Sequence, residues 1–169
     1  MISHIRNLLP TAVALLLLGT VVGAAAGKPA PKPPAHHAGT TQTHRLVTVN
    51  MDLDFKPHKR SQYGKLLGYD PVEIRVHQND RIQFVNVDDQ THTATGLAFS
   101  GQRAPAHYVF QGDFTKPHGR LINASEWGTG NVRPHGKSQV FVAKTVGNYF
   151  FGCGYHLDKG QVGVIIVGP

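Results

Sequence analysis

N-Y-F-F-G-C-G-Y-H-L-D-K-G-Q-V-G-V-I-I-V, residues 148–167, decides how the rest of the chain is read. Tyr149 and Phe151 alternate as a strand requires, Cys153 stands where that strand ends, a short loop carries His156 and Gln161, and 162–167 resumes as a strand. The only cysteine of the chain lies here. One turn therefore presents a thiolate, an imidazole and an amide oxygen together. Soft sulfur with imidazole is a donor set that selects copper, and a trigonal site of two histidines and one cysteine with a weak axial donor suits electron transfer. Such a site needs a second histidine from elsewhere.

The best candidate is His92, in R-I-Q-F-V-N-V-D-D-Q-T-H-T, where an alternating run (Ile82, Phe84) passes into a polar turn ahead of the histidine. Taken together, F-V-N-x-D-x-x-x-H-T and Y-F-F-x-C-x-x-H-x4-Gln-x-G-x-I-x-V resemble the cupredoxins of the plastocyanin and azurin type, over roughly residues 71–167. The resemblance implies an all-β Greek-key sandwich of about seven to eight strands. It also implies one copper ion held by His92, Cys153, His156 and Gln161. The chain departs from the commonest pattern at the axial position, where that family usually has Met. The two methionines here are Met1 and Met51, far from the loop in sequence. An axial Gln resembles the stellacyanin group.

An amide oxygen is a harder donor than a thioether and is better matched to Cu(II), so the expected potential is lower than that of a Gln161→Met variant. The alternative reading of Gln161 is a polar residue at a strand edge with no role toward a metal. Thr93 is read either as an ordinary strand residue or as a hydrogen-bonding partner of the cysteine loop. The resemblance further implies that His156 presents its ring edge at the surface as the electron exit, with Tyr155 and Leu157 as a small apolar docking patch for a redox partner.

The first 26 residues combine a weakly positive start, an apolar run and small residues ending A-A-A, the pattern of a secretory signal cleaved after Ala26. Pro10 and the small residues argue against an uncleaved anchor. The mature chain is expected in the periplasm or outside the cell, with no stable membrane insertion. Export changes the meaning of the lone cysteine. In an oxidising compartment an unpaired thiol bridges to another chain, reacts or binds a metal, and metal binding keeps the thiolate occupied.

Residues 27–43, rich in Pro, Ala and Lys and carrying His36 and His37, read as a disordered linker, and 44–169 as the folded domain. Within the domain, alternation marks strands at 44–53, 72–77, 81–87, 138–143, 148–151 and 162–167, with shorter ones after His92 and around His107. A short helical turn is expected at 61–67. The stretch 111–137, with the only tryptophan, is the least regular. Many short strands and little helical period indicate a sandwich.

The chain has 169 residues and a formal charge of +7, its basic residues scattered singly and aromatics few, which suits solubility and partner steering rather than nucleic-acid binding. A monomer is expected. His58, His118 and His135 each follow Pro and are read as surface turn residues. The leading function is an exported type 1 copper electron carrier, not an enzyme. The alternative is a periplasmic copper-binding or delivery protein aided by the histidines of the linker. A cysteine hydrolase is disfavoured, because a His three residues along one loop is poorly placed as a general base oriented by a third group.

Overall fold

The computed structural model describes residues 43–98 and 108–169. The expected signal at 1–26, nearly all of the expected linker at 27–43 and the expected strand position His107 lie outside the described residues; Tyr108 to Phe110, next to it, form no strand.

Alternation in the sequence becomes two faces in the sheet. In β1 (Leu46–Met51), Val49 and Met51 are buried, and they lie beside Phe84 and Asn86 of the parallel strand β4 (Arg81–Asn86). These two strands form the middle of one sheet, ordered β2 (Tyr69–Asp70), β1, β4, β9 (Lys137–Ala143), β7 (Leu121–Ile122). The other sheet runs β3 (Glu73–His77), β11 (Val162–Gly168), β10 (Gly147–Gly152), β5 (Thr95–Gly96), β8 (Gly128–Thr129), β6 (Pro117–His118). Both sheets mix parallel and antiparallel pairs, and no helix occurs among the described residues.

The polar turn 78–80 does not close a hairpin. It carries the chain from β3 in one sheet to β4 in the other, a sheet-switching connection of the Greek-key kind. The described strands number eleven against the seven or eight expected, and five of them are two residues long. Those short segments fall mainly within 111–137, so the stretch without periodicity is built into the sheets rather than left outside them. No helical turn forms at 61–67. Ser61 and Gly64 instead make an isolated bridge, and the Leu67 carbonyl accepts the Val162 N–H at 3.2 Å, so pairing with the sheet overrides the local helical preference.

Between the sheets Tyr69, Phe84, Trp127, Phe141 and Phe151 are fully buried in one cluster with Val49, Ile74, Ile82 and Ile165. Their rings meet edge-on or stacked, Tyr69 to Phe151 at 4.7 Å and Trp127 to Phe141 at 5.1 Å between centroids. Truncating one of these rings to Ala costs about 3–5 kcal/mol.

A second cluster of Leu66, Val72, Leu97, Phe150, Val162 and Val164 lies apart from the first. Phe150 and Phe151 feed different clusters, as do Val164 and Ile165. Strands β10 and β11 are therefore covered on both faces, which accounts for Y-F-F and V-I-I-V as continuous apolar runs rather than strict alternation.

Candidate metal centre

Four loops converge where β4 and β10 end and β11 begins. The polypeptide leaving β4 is shaped by Asn86, fully buried, whose side-chain N–H groups reach the Gln90 carbonyl at 2.6 Å and the Val132 carbonyl at 2.9 Å. His92 then pairs with Val132 through two backbone hydrogen bonds of 3.2 and 2.9 Å, which fixes where its side chain starts. Its ring is fully buried, and Nε2 meets Asp88 Oδ2 at 2.9 Å. A carboxylate only accepts, so Nε2 carries a hydrogen, and the contact turns Nδ1 the other way.

Cys153 follows the last residue of β10 and is fully buried. Its sulfur accepts the backbone N–H of Thr93 at 3.4 Å, and the Thr93 hydroxyl accepts the Gly154 N–H at 2.8 Å. Thr93 therefore does bond to the cysteine loop, with its own carbonyl held by the buried Tyr69 hydroxyl at 2.6 Å. Phe114 lies so close over Gly154 that a Cβ there would come within 2.2 Å of the ring, so a glycine is required at that contact. His156 is reached by a tight turn in which its N–H donates to the Cys153 carbonyl at 3.2 Å.

Nδ1 of His92 and Nδ1 of His156 are 3.2 Å apart, and Sγ of Cys153 lies 3.8 and 3.6 Å from them. Bonds to a divalent first-row ion of about 2.0–2.1 Å from nitrogen and about 2.3 Å from sulfur, spread at about 120°, place the donors about 3.5–3.8 Å apart. The triangle has the size of a trigonal site made of two nitrogens and one sulfur. These three form the only such group of converging His, Cys or acidic side chains among the described residues; His58, His118 and His135 take no part in it. His118 instead bonds to the Lys116 carbonyl and His135 to exposed Asp89, as turn residues do.

Gln161, fully buried, brings Oε1 within 3.1 Å of His156 Nδ1, while its Nε2 donates to the Gly68 carbonyl at 2.9 Å. It borders the triangle from the position just before β11.

Electrostatics follow from this packing. Burial opposes the Cys153 thiolate, but hydrogen bonds from His92 and from the N–H groups of Thr93 and Tyr155 outweigh it, and its pKa falls below the ordinary thiol value. Burial likewise opposes a charged His92, yet Cys153 and Asp88 raise its pKa; for His156 burial prevails and the pKa falls. The pocket thus favours a thiolate and a neutral His156, while His92 holds its proton more firmly, a proton that ligation of a metal would release.

Sequence reading brought His92, Cys153, His156 and Gln161 to one place, and the fold does gather them. It passed over Asp88 and Asn86, although both stand in F-V-N-x-D-x-x-x-H-T, and over Gly68. The expected exposed ring edge at His156 is reduced: the residue is 7% accessible, whereas Tyr155 is 43% accessible. Leu157 packs partly into the second cluster instead of forming an open patch.

No family model matches the chain, and no curated protein does. Among solved structures, a purple cupredoxin from Nitrosopumilus maritimus is 12% identical over 72% of this chain and 99% of its own, with a TM-score of 0.45. Plastocyanin from Dryopteris crassirhizoma is 16% identical over 72% of this chain and all of its own length (100%), at a TM-score of 0.45. Auracyanin from Roseiflexus castenholzii is 19% identical over 75% of this chain and 98% of its own, at 0.46. The chain resembles these cupredoxins; the case for a metal at its centre rests on the donor triangle.

Proposed function

We propose that the chain binds one copper ion through His92 Nδ1, Cys153 Sγ and His156 Nδ1, with Gln161 Oε1 as a weak fourth donor, and serves as an exported electron carrier. The observation that carries this reading is the buried triangle of donors with sides of 3.2 to 3.8 Å. The donors fit by their chemistry: a thiolate and two imidazoles suit copper in both oxidation states, and the oxygen is a hard, weak addition. Bound there, copper supplies a one-electron couple.

The protein's part is to hold the donors still. Asp88 fixes the ring of His92, Thr93 ties the cysteine loop to the histidine loop, and Phe114 covers Gly154. Donors that cannot move between oxidation states keep the reorganisation cost low. Donors held in this way suit a carrier of electrons. Burial of all three donors also favours passing electrons over handing on the ion, which would need a donor exposed to an acceptor protein. Partially exposed Tyr155 beside His156, with ring centroids 6.3 Å apart, is the proposed contact for a redox protein, in a small transient interface. Secretion to the periplasm or beyond, by way of residues 1–26, and a monomeric state belong to the same proposal.

The test is a Cu(II) titration of the chain lacking residues 1–26, followed by visible absorption and EPR. An intense thiolate-to-copper band that saturates at one equivalent and vanishes in Cys153→Ser is the expected result. Copper bound without that band, or in several weak equivalents that survive Cys153→Ser, replaces the electron carrier with histidine-based copper handling.

A further inference from the structure

Gln161 offers two chemically opposite ends to the donor triangle, and something must choose between them. An inward oxygen adds a donor; an inward NH2 adds none. The fold places the Gly68 carbonyl 2.9 Å from one end of the amide. A carbonyl only accepts, so the end that meets it is Nε2, and Oε1 is turned to His156 Nδ1 at 3.1 Å. Reversal of the amide in this buried place sets oxygen against oxygen and leaves NH2 facing the donors.

The Gly68 carbonyl is itself held. It accepts the Asp52 N–H at 3.1 Å, and the Gly68 N–H donates to the Phe55 carbonyl at 3.0 Å. Residue 68 has φ +79°, a conformation that glycine adopts without strain, and a Cβ there would lie 2.4 Å from Gln161 Cγ and 3.1 Å from Cδ. Leu67 next to it pairs with Gln161 and Val162 in isolated bridges, which sets the register of the contact. The missing side chain, the left-handed turn and the carbonyl direction all serve the same amide.

We propose that Gly68 is the positioning residue that presents Gln161 Oε1 to the metal, and that it thereby tilts the centre toward the oxidised ion. The proposal rests on the copper reading above and deepens it. Gly68 touches no reacting atom and acts only through Gln161.

The experiment is a double-mutant cycle on the copper-loaded protein, comparing wild type, Gly68→Ala, Gln161→Ala and the pair by reduction potential and EPR. With Gln161 present, Gly68→Ala is expected to displace the amide and lower the ratio of Cu(II) to Cu(I) affinity about tenfold, an upward shift of about 59 mV for a one-electron couple. With Gln161→Ala, which makes room for the added methyl group, Gly68→Ala is expected to change neither readout. An unchanged potential in the first background, or an equal shift in both, overturns the proposal.

Side-chain amide exchange in the metal-free wild type reads the same contact without any variant. Slow exchange of a Gln161 Nε2 proton supports the clasp, and exchange at the rate of a free glutamine overturns it. Failure of the copper reading has a different signature, since the thiolate-to-copper band is then missing from wild type itself.

Discussion

Asp80 precedes β4 and Asp88 follows it, and each grips a residue just beyond the neighbouring strand β1 at its own end. Asp80 accepts the N–H groups of Arg45 and His77, both at 3.0 Å, and pairs with Arg45 Nε at 3.1 Å. Asp88 accepts the N–H of Leu53 at 3.2 Å and that of Asp89 at 2.6 Å, and pairs with His92 Nε2 at 2.9 Å. Six of the seven residues between them form β4, about 20 Å of strand at about 3.3 Å per residue. The device is the same at both ends; the side chain that meets the carboxylate differs. Arg45 leaves 55% of its side chain in water, while the His92 side chain is 0% exposed. One end therefore ties strands together, and the other uses the same tie to aim an imidazole.

Exchanging each carboxylate for its amide separates the two roles. Asp88→Asn keeps shape but removes the charge behind His92, and it is expected to weaken copper binding about 10–100-fold, as loss of a carboxylate behind a ligating histidine generally does. A competition titration against a chelator of known affinity measures it. Unchanged affinity makes Asp88 a strand tie like Asp80. Asp80→Asn is expected to cost about 1–3 kcal/mol of folding stability, because part-buried N–H groups lose a charged acceptor, and to leave copper affinity as it was. Urea unfolding of the metal-free protein gives the first number, and the chelator titration gives the second. A copper defect in Asp80→Asn couples the two ends and ends the contrast.

The site was more legible in the sequence than the frame around it. Cys153, His156 and Gln161 lie on one loop, so their convergence is a local fact, and His92 stood out as a histidine after an alternating run. Asp88 and Asn86 were in plain view but silent, because their partners, Leu53, Gln90 and Val132, are set by β1–β4 pairing and by a loop contact that no spacing reveals. Gly68 was hidden for the same reason: it meets Gln161 across 93 positions of sequence. Among the strands, alternation found β1, β3 and β4 but not the pairing, since the turn at 78–80 looks the same whether it closes a hairpin or changes sheets. The two-residue strands of 111–137 have no period to read, and Trp127 owes its burial to the aromatic cluster around it.

Acid sharpens the comparison further. Burial alone raises the pKa of Asp80, but the N–H groups of His77 and Arg45 and the Arg45 side chain outweigh it, so the carboxyl lies below its usual value. Asp88 is shifted the same way, burial being opposed by His92 and by the N–H groups of Leu53 and Asp89. A folded-state pKa below the unfolded one gives stability that is full above about pH 3.9 and is lost as pH falls through the folded value. Thermal melts of metal-free protein from neutral pH down into strong acid are expected to show a shallower acid decline in Asp80→Asn than in wild type. An identical decline shows that Asp80 is no tighter an acid folded than unfolded.

The smallest effect isolates what the arginine adds. Arg45→Met removes the exposed guanidinium but keeps the backbone N–H that Asp80 accepts, and an ion pair with one partner so open to water is worth about 0–1 kcal/mol. The expected loss by urea unfolding is within that range, well below that of Asp80→Asn, and it shrinks in high salt. A loss as large as that of Asp80→Asn shifts the work of this end from the backbone hydrogen bonds to the ion pair. Asp80 and Asp88 then differ in kind, since only Asp88 keeps its side-chain partner fully out of water.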